Sequence, residues 1–374
     1  MSVRVKCSKC GRELGEQGFL SRCLFCGGLP IVEYDSYRFS IDSSRPGVWR
    51  YSSLLPRFQR IVSLGEGLTP IINVDGVLVK NEKVNPTGSY ADRASTVIAS
   101  YIVSKGFSNF SIRYEQDFSS SLSRYLYRYA KVFQCIDEPF TIDSSELLKL
   151  LEFGEVVTCS STPQETPVIE YANALTVEGL KTIIFEVYEA RVDVESVVVP
   201  ARSGILAFAL AKGVKELRES GIDLNIDIIA VVPKGTEAPK HLPGEELVKV
   251  VEVSSNEALE AVNTLAKSGV YTSPLSAIAF HVAKTLSKSL AVLTVGFRPR
   301  GVARRSELKE QVIKVLRELG KATAYEVWGY ISSYSLKGIY KALKSLVKEG
   351  VVCEEPVMRG RRKVILYELC VEQA

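Results

Sequence analysis

The chain has 374 residues, of which 46% are hydrophobic and 24% charged, a balance that suits a large folded core and excludes wholesale disorder. No basic start leads into an apolar run with a cleavage site, and no stretch approaches the roughly eighteen uncharged apolar residues of a membrane span, so the expectation is a soluble cytoplasmic protein with no membrane partner. Residues 300–374 carry fifteen Lys and Arg against nine Asp and Glu, whereas the other 299 carry 32 against 34, which places the positive balance of +4 at the C-terminal end, as a polyanion-binding segment requires.

The first 26 residues hold four of the eight cysteines. Cys7 and Cys10 form one C-x2-C knuckle and Cys23 and Cys26 a second, twelve residues on. Two such knuckles converge four thiolates tetrahedrally, which predicts a structural zinc ribbon over residues 1–33, with an iron–sulfur cluster as the alternative. Thirty residues bury little core, so the metal supplies the folding energy. The scattered Cys135, Cys159, Cys353 and Cys370 argue against a disulfide framework and for a reducing compartment.

Between residues 34 and 300 short apolar runs alternate with helical periodicities. A strand starts at 76–79, helices are predicted at 94–104 and 120–130, and ESVVVP at 195–200 reads as a buried strand. A turn at Ser203-Gly204 opens a helix over 205–220. A strand at 226–233, a helix at 255–268 and a strand at 289–296 follow. Continuous apolar strands separated by helices point to a mostly parallel sheet covered on both faces.

The ordered motifs Trp49-Arg50-Tyr51, Leu64-Gly65-Glu66-Gly67-Leu68-Thr69-Pro70, Asn85-Pro86-Thr87-Gly88-Ser89-Tyr90-Ala91-Asp92-Arg93 and Val177-Glu178-Gly179-Leu180-Lys181-Thr182-Ile183 resemble the threonine synthase family over roughly residues 5–296. The resemblance implies the fold-type II architecture of pyridoxal-phosphate (PLP) enzymes, with two α/β subdomains, the smaller at about 95–165, and a cleft between them. It also implies a homodimer built by this body. In that family the lysine of a GSFKDR motif carries the cofactor as a Schiff base; here Ala91 stands in its place, and a methyl group cannot form an imine. The loop that should offer glycine and asparagine falls near Glu115-Gln116-Asp117, and the glycine-rich phosphate cradle near Arg202-Ser203-Gly204. Acidic side chains repel an anionic ligand, and Arg202 is long enough to fill a phosphate site. Ala91, Asp117, Arg202, Ser203 and Gly204 thus predict a degenerate cofactor site, no PLP and a pseudoenzyme. Whether Tyr90, Phe118 and Arg202 plug the cleft is the open structural question.

Residues 298–305 read as a basic linker into a module at 301–374. Ser306 caps a helix to Leu319, Thr323 caps a second one, and Ser335 opens a third that ends before Gly350. Strands at 351–357 and 363–369 flank a turn with Arg359, Arg361 and Arg362. This order resembles the winged helix-turn-helix superfamily. The resemblance makes double-stranded DNA the expected partner, contacted by Ser335, Lys337, Tyr340, Lys341, Lys344 and Lys348 on the third helix and by Arg359, Arg361, Arg362 and Lys363 on the hairpin. The function expected is a DNA-binding, nucleoid-associated transcriptional regulator with an inactive body. The alternatives are a replication- or chromatin-associated protein, a regulator sensing a small-molecule effector, and a divergent PLP-dependent lyase.

Overall fold

Runs such as SVVVP at Ser196–Pro200 and DIIAVVP at Asp227–Pro233 form strands buried on both faces, as parallel sheets under two helical layers require. The computed structural model describes residues 3–163, 166–244, 248–296, 307–331, 334–348, 351–359 and 362–370. It divides into two units, residues 1–298 and 299–374.

The first unit opens with β1 (Val3–Cys7), β2 (Pro30–Tyr34), β3 (Ile71–Val74) and β4 (Val77–Asn81). It continues through α1 (Asp92–Lys105), β5 (Asn109–Arg113), α2 (Phe118–Leu126), β6 (Lys131–Ile136), α3 (Ser144–Phe153), β7 (Glu155–Thr158) and β8 (Val168–Ile169). Then come α4 (Ala174–Glu189), β9 (Ser196–Pro200), α5 (Ile205–Glu219), β10 (Asp227–Pro233), β11 (Val248–Val253), α6 (Ser255–Lys267), α7 (Pro274–Lys284) and β12 (Ser289–Leu293). One six-stranded sheet has the order β11-β10-β9-β12-β4-β3, parallel except for β3 against β4. A second, four-stranded sheet, β7-β6-β5-β8, is parallel throughout. The strand period of two divides the core: Val197 and Val199 of β9 pack in the cluster with α1, α4 and α5, and Val198 between them packs with α6 and α7.

Helix α4 is a hub. A Cβ added at Gly179 would stand 2.1 Å from the carbonyl oxygen of Arg93, so only glycine lets α4 cross α1 this closely. Beside that crossing the fully buried Arg93 donates to Glu82 at 2.7 Å and to Glu186 at 2.6 Å, and Lys80 joins Glu186 at 2.6 Å. The ribbon strands β1 and β2 pair antiparallel, and their Val5, Val32 and Tyr34 pack on Ala174 of α4. The Tyr34 hydroxyl donates to the Glu178 carboxylate and lies 3.1 Å from the Leu54 carbonyl oxygen.

In the second unit, α8 (Glu307–Leu319), β13 (Lys321–Thr323), α9 (Ala324–Tyr330) and α10 (Leu336–Lys348) precede the hairpin of β14 (Val352–Arg359) and β15 (Arg362–Leu369). Its sheet order is β13-β15-β14, antiparallel, over a core that includes Val312, Leu316, Val327, Ile339, Leu343 and Leu346. Thr323 and Glu326 cap α9 reciprocally, and Ser335 accepts from the Gly338 N–H at the start of α10. The linker at 298–305, Ser306, Gly350 and Arg361 lie outside the described residues.

Two expectations need correction. The helix placed at 120–130 starts at Phe118 and ends at Leu126, because Asp117, at φ 64°, turns the chain into it two residues earlier. The four scattered cysteines are not reduced thiols: Cys135 bonds Cys159, and Cys353 bonds Cys370. Cys135 lies on β6 and Cys159 just past β7, its parallel neighbour, while Cys353 on β14 and Cys370 beyond β15 close the hairpin. Separations of 24 and 17 residues concealed strand neighbours whose Cα atoms are 4.6 and 5.2 Å apart.

Candidate functional site

The carboxyl ends of parallel strands are where α/β sheets leave room for a ligand, since their loops diverge there toward different helices. The loops after β4, β5, β9 and β12 converge in this way on a cavity of about 450 Å³. The β4 loop and the residues after β12 are laced together, with Tyr90 N–H donating to the Thr294 carbonyl at 2.8 Å and Gly296 N–H to that of Gly88 at 3.3 Å. Tyr90 also meets Tyr171 hydroxyl to hydroxyl at 2.9 Å. Burial pushes both phenols above the ordinary range, so both keep their protons at neutral pH.

The opposite wall is acidic. Asp117 immediately precedes α2, its N–H donates to Glu146 at 3.1 Å, and Ser120 donates to the same carboxylate at 3.2 Å. Lys149, one turn along α3, sits 3.0 Å from Glu146. Burial and then the charge of Glu146 push the Asp117 carboxyl up to about 6, against the pull of Lys149 and Arg202. Burial also raises Glu115, which Arg202 partly offsets. The repulsion of anions expected from this pair is therefore weaker than two ordinary carboxylates would exert. Arg202 reaches across the cleft to donate to Gln116 at 3.1 Å. Gly204, at φ 89°, opens α5, and a Cβ there would come within 2.9 Å of the backbone at His241 and Leu242.

The cleft is open. Tyr90 and Arg202 line it, while Phe118 is buried behind Tyr171 with ring centroids 5.1 Å apart. The structure brings Asp117, Arg202, Ser203 and Gly204 around one cavity but leaves Ala91 off its lining, fully buried in the core, with its N–H donating to Ser89 Oγ. These residues do not fit a cofactor tethered as a Schiff base. Position 91 has no amine, and the amine of Lys80 is buried and committed to Thr69 and Glu186. Sequence reasoning missed Tyr171, Glu146 and Lys149. The signal for α3 was present in Asp143-Ser144-Ser145-Glu146, where Asp143 caps the helix by accepting from the Ser145 N–H.

In the ribbon the four sulfurs of Cys7, Cys10, Cys23 and Cys26 lie within 4.8 Å of one another, with Cys7–Cys26 at 3.4 Å and Cys10–Cys23 at 3.9 Å. Zinc–sulfur bonds of about 2.3 Å give a tetrahedron with edges of about 3.8 Å, so the donor set suits zinc. Along α10, Lys337, Tyr340, Lys341, Lys344 and Lys348 are exposed, opposite the buried Ile339, Ala342, Leu343 and Leu346; Ser335 and Lys363 are exposed as well. For Arg359 and Arg362 only the backbone is described, and Arg361 lies outside the described residues.

No family profile matches the chain. A threonine synthase of Methanosarcina acetivorans is 36% identical over 107 residues, 25% of this chain and 26% of the relative. A threonine synthase of Methanocaldococcus jannaschii is 27% identical over 252 residues, 58% of this chain and 62% of the relative. The chain thus spans about a quarter and about three fifths of the lengths of these curated relatives. Among solved structures, a PLP-dependent aspartate racemase superposes with a TM-score of 0.53 at 14% identity, covering 65% of this chain and 98% of the other. Serine racemase from Dictyostelium discoideum gives 0.52 at 16%, with 61% and 91% covered, and an L-serine ammonia-lyase from Rhizomucor miehei gives 0.53 at 14%, with 64% and 95% covered. At these identities the structures speak to fold.

These relatives overturn the expectation of a DNA-binding regulator with an inactive body, because they are enzymes by name and none is a regulator. Surplus charge near the C-terminus does not by itself mark a nucleic-acid surface: exposed lysines opposite an apolar stripe are what any amphipathic surface helix presents to water. They also correct the expectation of no PLP, since the fold neighbours include a racemase that depends on it. No helix among the described residues is long and apolar enough to cross a membrane, and nucleoid association has no support. In sequence the chain is similar to threonine synthases over part of its length, and its α/β fold resembles that of fold-type II PLP-dependent enzymes.

Proposed function

We propose that the first unit is a divergent enzyme of the PLP-dependent kind, moving protons on a small amino-acid-class molecule in the cleft. The observation that carries this is the convergence of Asp117, the Tyr90–Tyr171 pair and Arg202 on one cavity, in a chain whose relatives are named threonine synthases. Arg202 is placed to take a carboxylate and the Glu115–Asp117 wall an ammonium group. An acid titrating near neutrality beside protonated phenols is suited to proton transfer. Because position 91 offers no amine, no step is assigned to a lysine-bound cofactor.

The test is solvent-deuterium exchange at Cα of a panel of amino acids and their O-phosphorylated forms, followed by NMR with and without added PLP. Exchange that Asp117→Asn abolishes supports the proposal. Absence of exchange across the panel under both conditions defeats it.

Two finer proposals accompany it. The four ribbon cysteines hold one structural zinc, to be checked as metal content per chain. The second unit has winged-helix architecture, a reading supported by its order of helix, strand, two helices and hairpin.

A further inference from the structure

Tyr171 reaches the cleft from a stretch of chain with little regular structure of its own. The strand before it, β8, has two residues, which pair with Ser111 and Ile112 of β5 and do little to fix the direction in which the chain leaves the sheet. Two other holds act on Glu170, the residue between β8 and Tyr171. Behind it, Asn173 accepts from the Thr176 N–H to cap α4 and donates to the Glu170 carbonyl at 2.6 Å. From the front the ribbon grips it. The Leu20 carbonyl accepts from the Glu170 N–H at 2.8 Å, the Glu170 carboxylate accepts from the Arg22 N–H at 3.2 Å, and Arg22 Nε lies 3.4 Å from the same oxygen. Arg113, at the end of β5, is 3.8 Å from the other carboxylate oxygen.

Both ends of this grip sit one residue from a site. Arg22 is bonded to Cys23, a buried thiol of the second knuckle whose N–H closes on the Gly28 carbonyl at 3.0 Å. Glu170 is bonded to Tyr171, whose hydroxyl meets that of Tyr90 at 2.9 Å and whose ring lies against Phe118. The Glu170 side chain is only 15% exposed, so its charge-assisted bonds to Arg22 are screened less than those of an open surface pair. A displacement of Cys23 therefore passes through Arg22 and Glu170 to the phenol in the cleft.

We propose that the ribbon positions the cleft. With the four thiolates gathered on a metal, residues 20–22 hold Glu170, and Glu170 sets the Tyr171 hydroxyl against that of Tyr90. Glu170 is a positioning residue, and metal occupancy of the ribbon regulates the cleft through it. The consequence for turnover rests on the reaction proposed for this cleft, but the test reads geometry alone, so the two can fail separately.

The experiment is fluorine NMR of the full chain carrying 3-fluorotyrosine at position 171, zinc-loaded and chelator-stripped, with Glu170 intact and in Glu170→Ala. Zinc content per chain is measured on every sample. With Glu170 intact, stripping is expected to move the resonance by more than its linewidth. In Glu170→Ala the chain should keep its zinc, the loaded resonance should already be displaced, and the shift on stripping should shrink about twofold or more, because the two perturbations share one route. A carboxylate that merely supports the fold would leave the stripping shift unchanged. Three results would overturn the proposal: a chain that takes up no zinc, a resonance at position 171 that ignores stripping, or an equal stripping shift with and without Glu170, the outcome also expected if zinc loss unfolds the whole first unit.

Discussion

Asp117 donates its backbone N–H to the Glu146 carboxylate at 3.1 Å, which fastens the loop after β5 to helix α3 and brings two acids together on the cleft wall. The juxtaposition has a cost that pH reveals. The Asp117 carboxyl stands at about 6 in the fold against 3.8 in an unfolded chain, raised by burial and then by Glu146. Between these values the folded state holds a proton that the unfolded state has released, so stability is full below about pH 4 and falls as pH rises through about 6. Asp117→Asn removes the titration. The variant should gain about 1–2 kcal/mol over wild type at pH 8, and the gain should vanish near pH 4. Urea unfolding across that range measures it; equal stability of the two proteins at pH 8 would contradict the assignment.

Acid should act in the opposite sense on the buried cluster around Arg93. Burial alone would raise Glu186, but Arg93 and Lys80 outweigh it and bring its carboxyl down to about 2. Its contribution is therefore present above about pH 4.5 and is lost as pH falls toward 2. Glu186→Gln leaves Arg93 and Lys80 short of a counter-charge inside the core, which should cost about 3–5 kcal/mol at neutral pH. Chemical denaturation at pH 7 is the measurement. A cost below about 1 kcal/mol would mean that water reaches the cluster.

How much of this was legible depended on how local each signal was. The apolar runs at 196–200 and 227–233 gave the parallel sheet, and the threonine before Ala324 gave a helix start, because strand burial and capping are short-range properties. The paired knuckles drew Cys7, Cys10, Cys23 and Cys26 together for the same reason. The cleft was only half visible. Asp117 and Arg202 stood out as departures from a family motif, while Tyr171, Glu146 and Lys149 belong to no motif and reach the cavity only because two sheets place their strand ends together. The two disulfides were hidden likewise, since pairing of β6 with β7 and of β14 with β15 is a property of register.

Those disulfides make a third prediction. Intact-mass measurement before and after reduction should show two bonds, and peptide mapping should link Cys135 to Cys159 and Cys353 to Cys370. Cross-linking residues 24 apart restricts the unfolded chain by about 3 kcal/mol in the loop-entropy description, so Cys159→Ser should lower stability by about that amount. A fully reduced protein purified without reductant would contradict the pairing.

The ribbon provides the last prediction, because its metal and its docking are separable. Four thiolates would close the coordination shell of zinc, and so small a segment buries only a handful of apolar side chains, among them Val5, Leu29 and Val32. Cys10→Ser should abolish stoichiometric metal and open the ribbon to protease between its knuckles, while the strands of the six-stranded sheet keep their amide protection. Tyr34→Phe removes the hydroxyl that reaches Leu54 and Glu178, yet leaves all four cysteines, so it should retain the metal and lose about 1–2 kcal/mol. Metal content and hydrogen exchange, measured on both variants, distinguish the two effects. If Cys10→Ser instead unfolds the whole first unit in one step, the ribbon is part of the core's cooperative unit and its metal and docking are not separable.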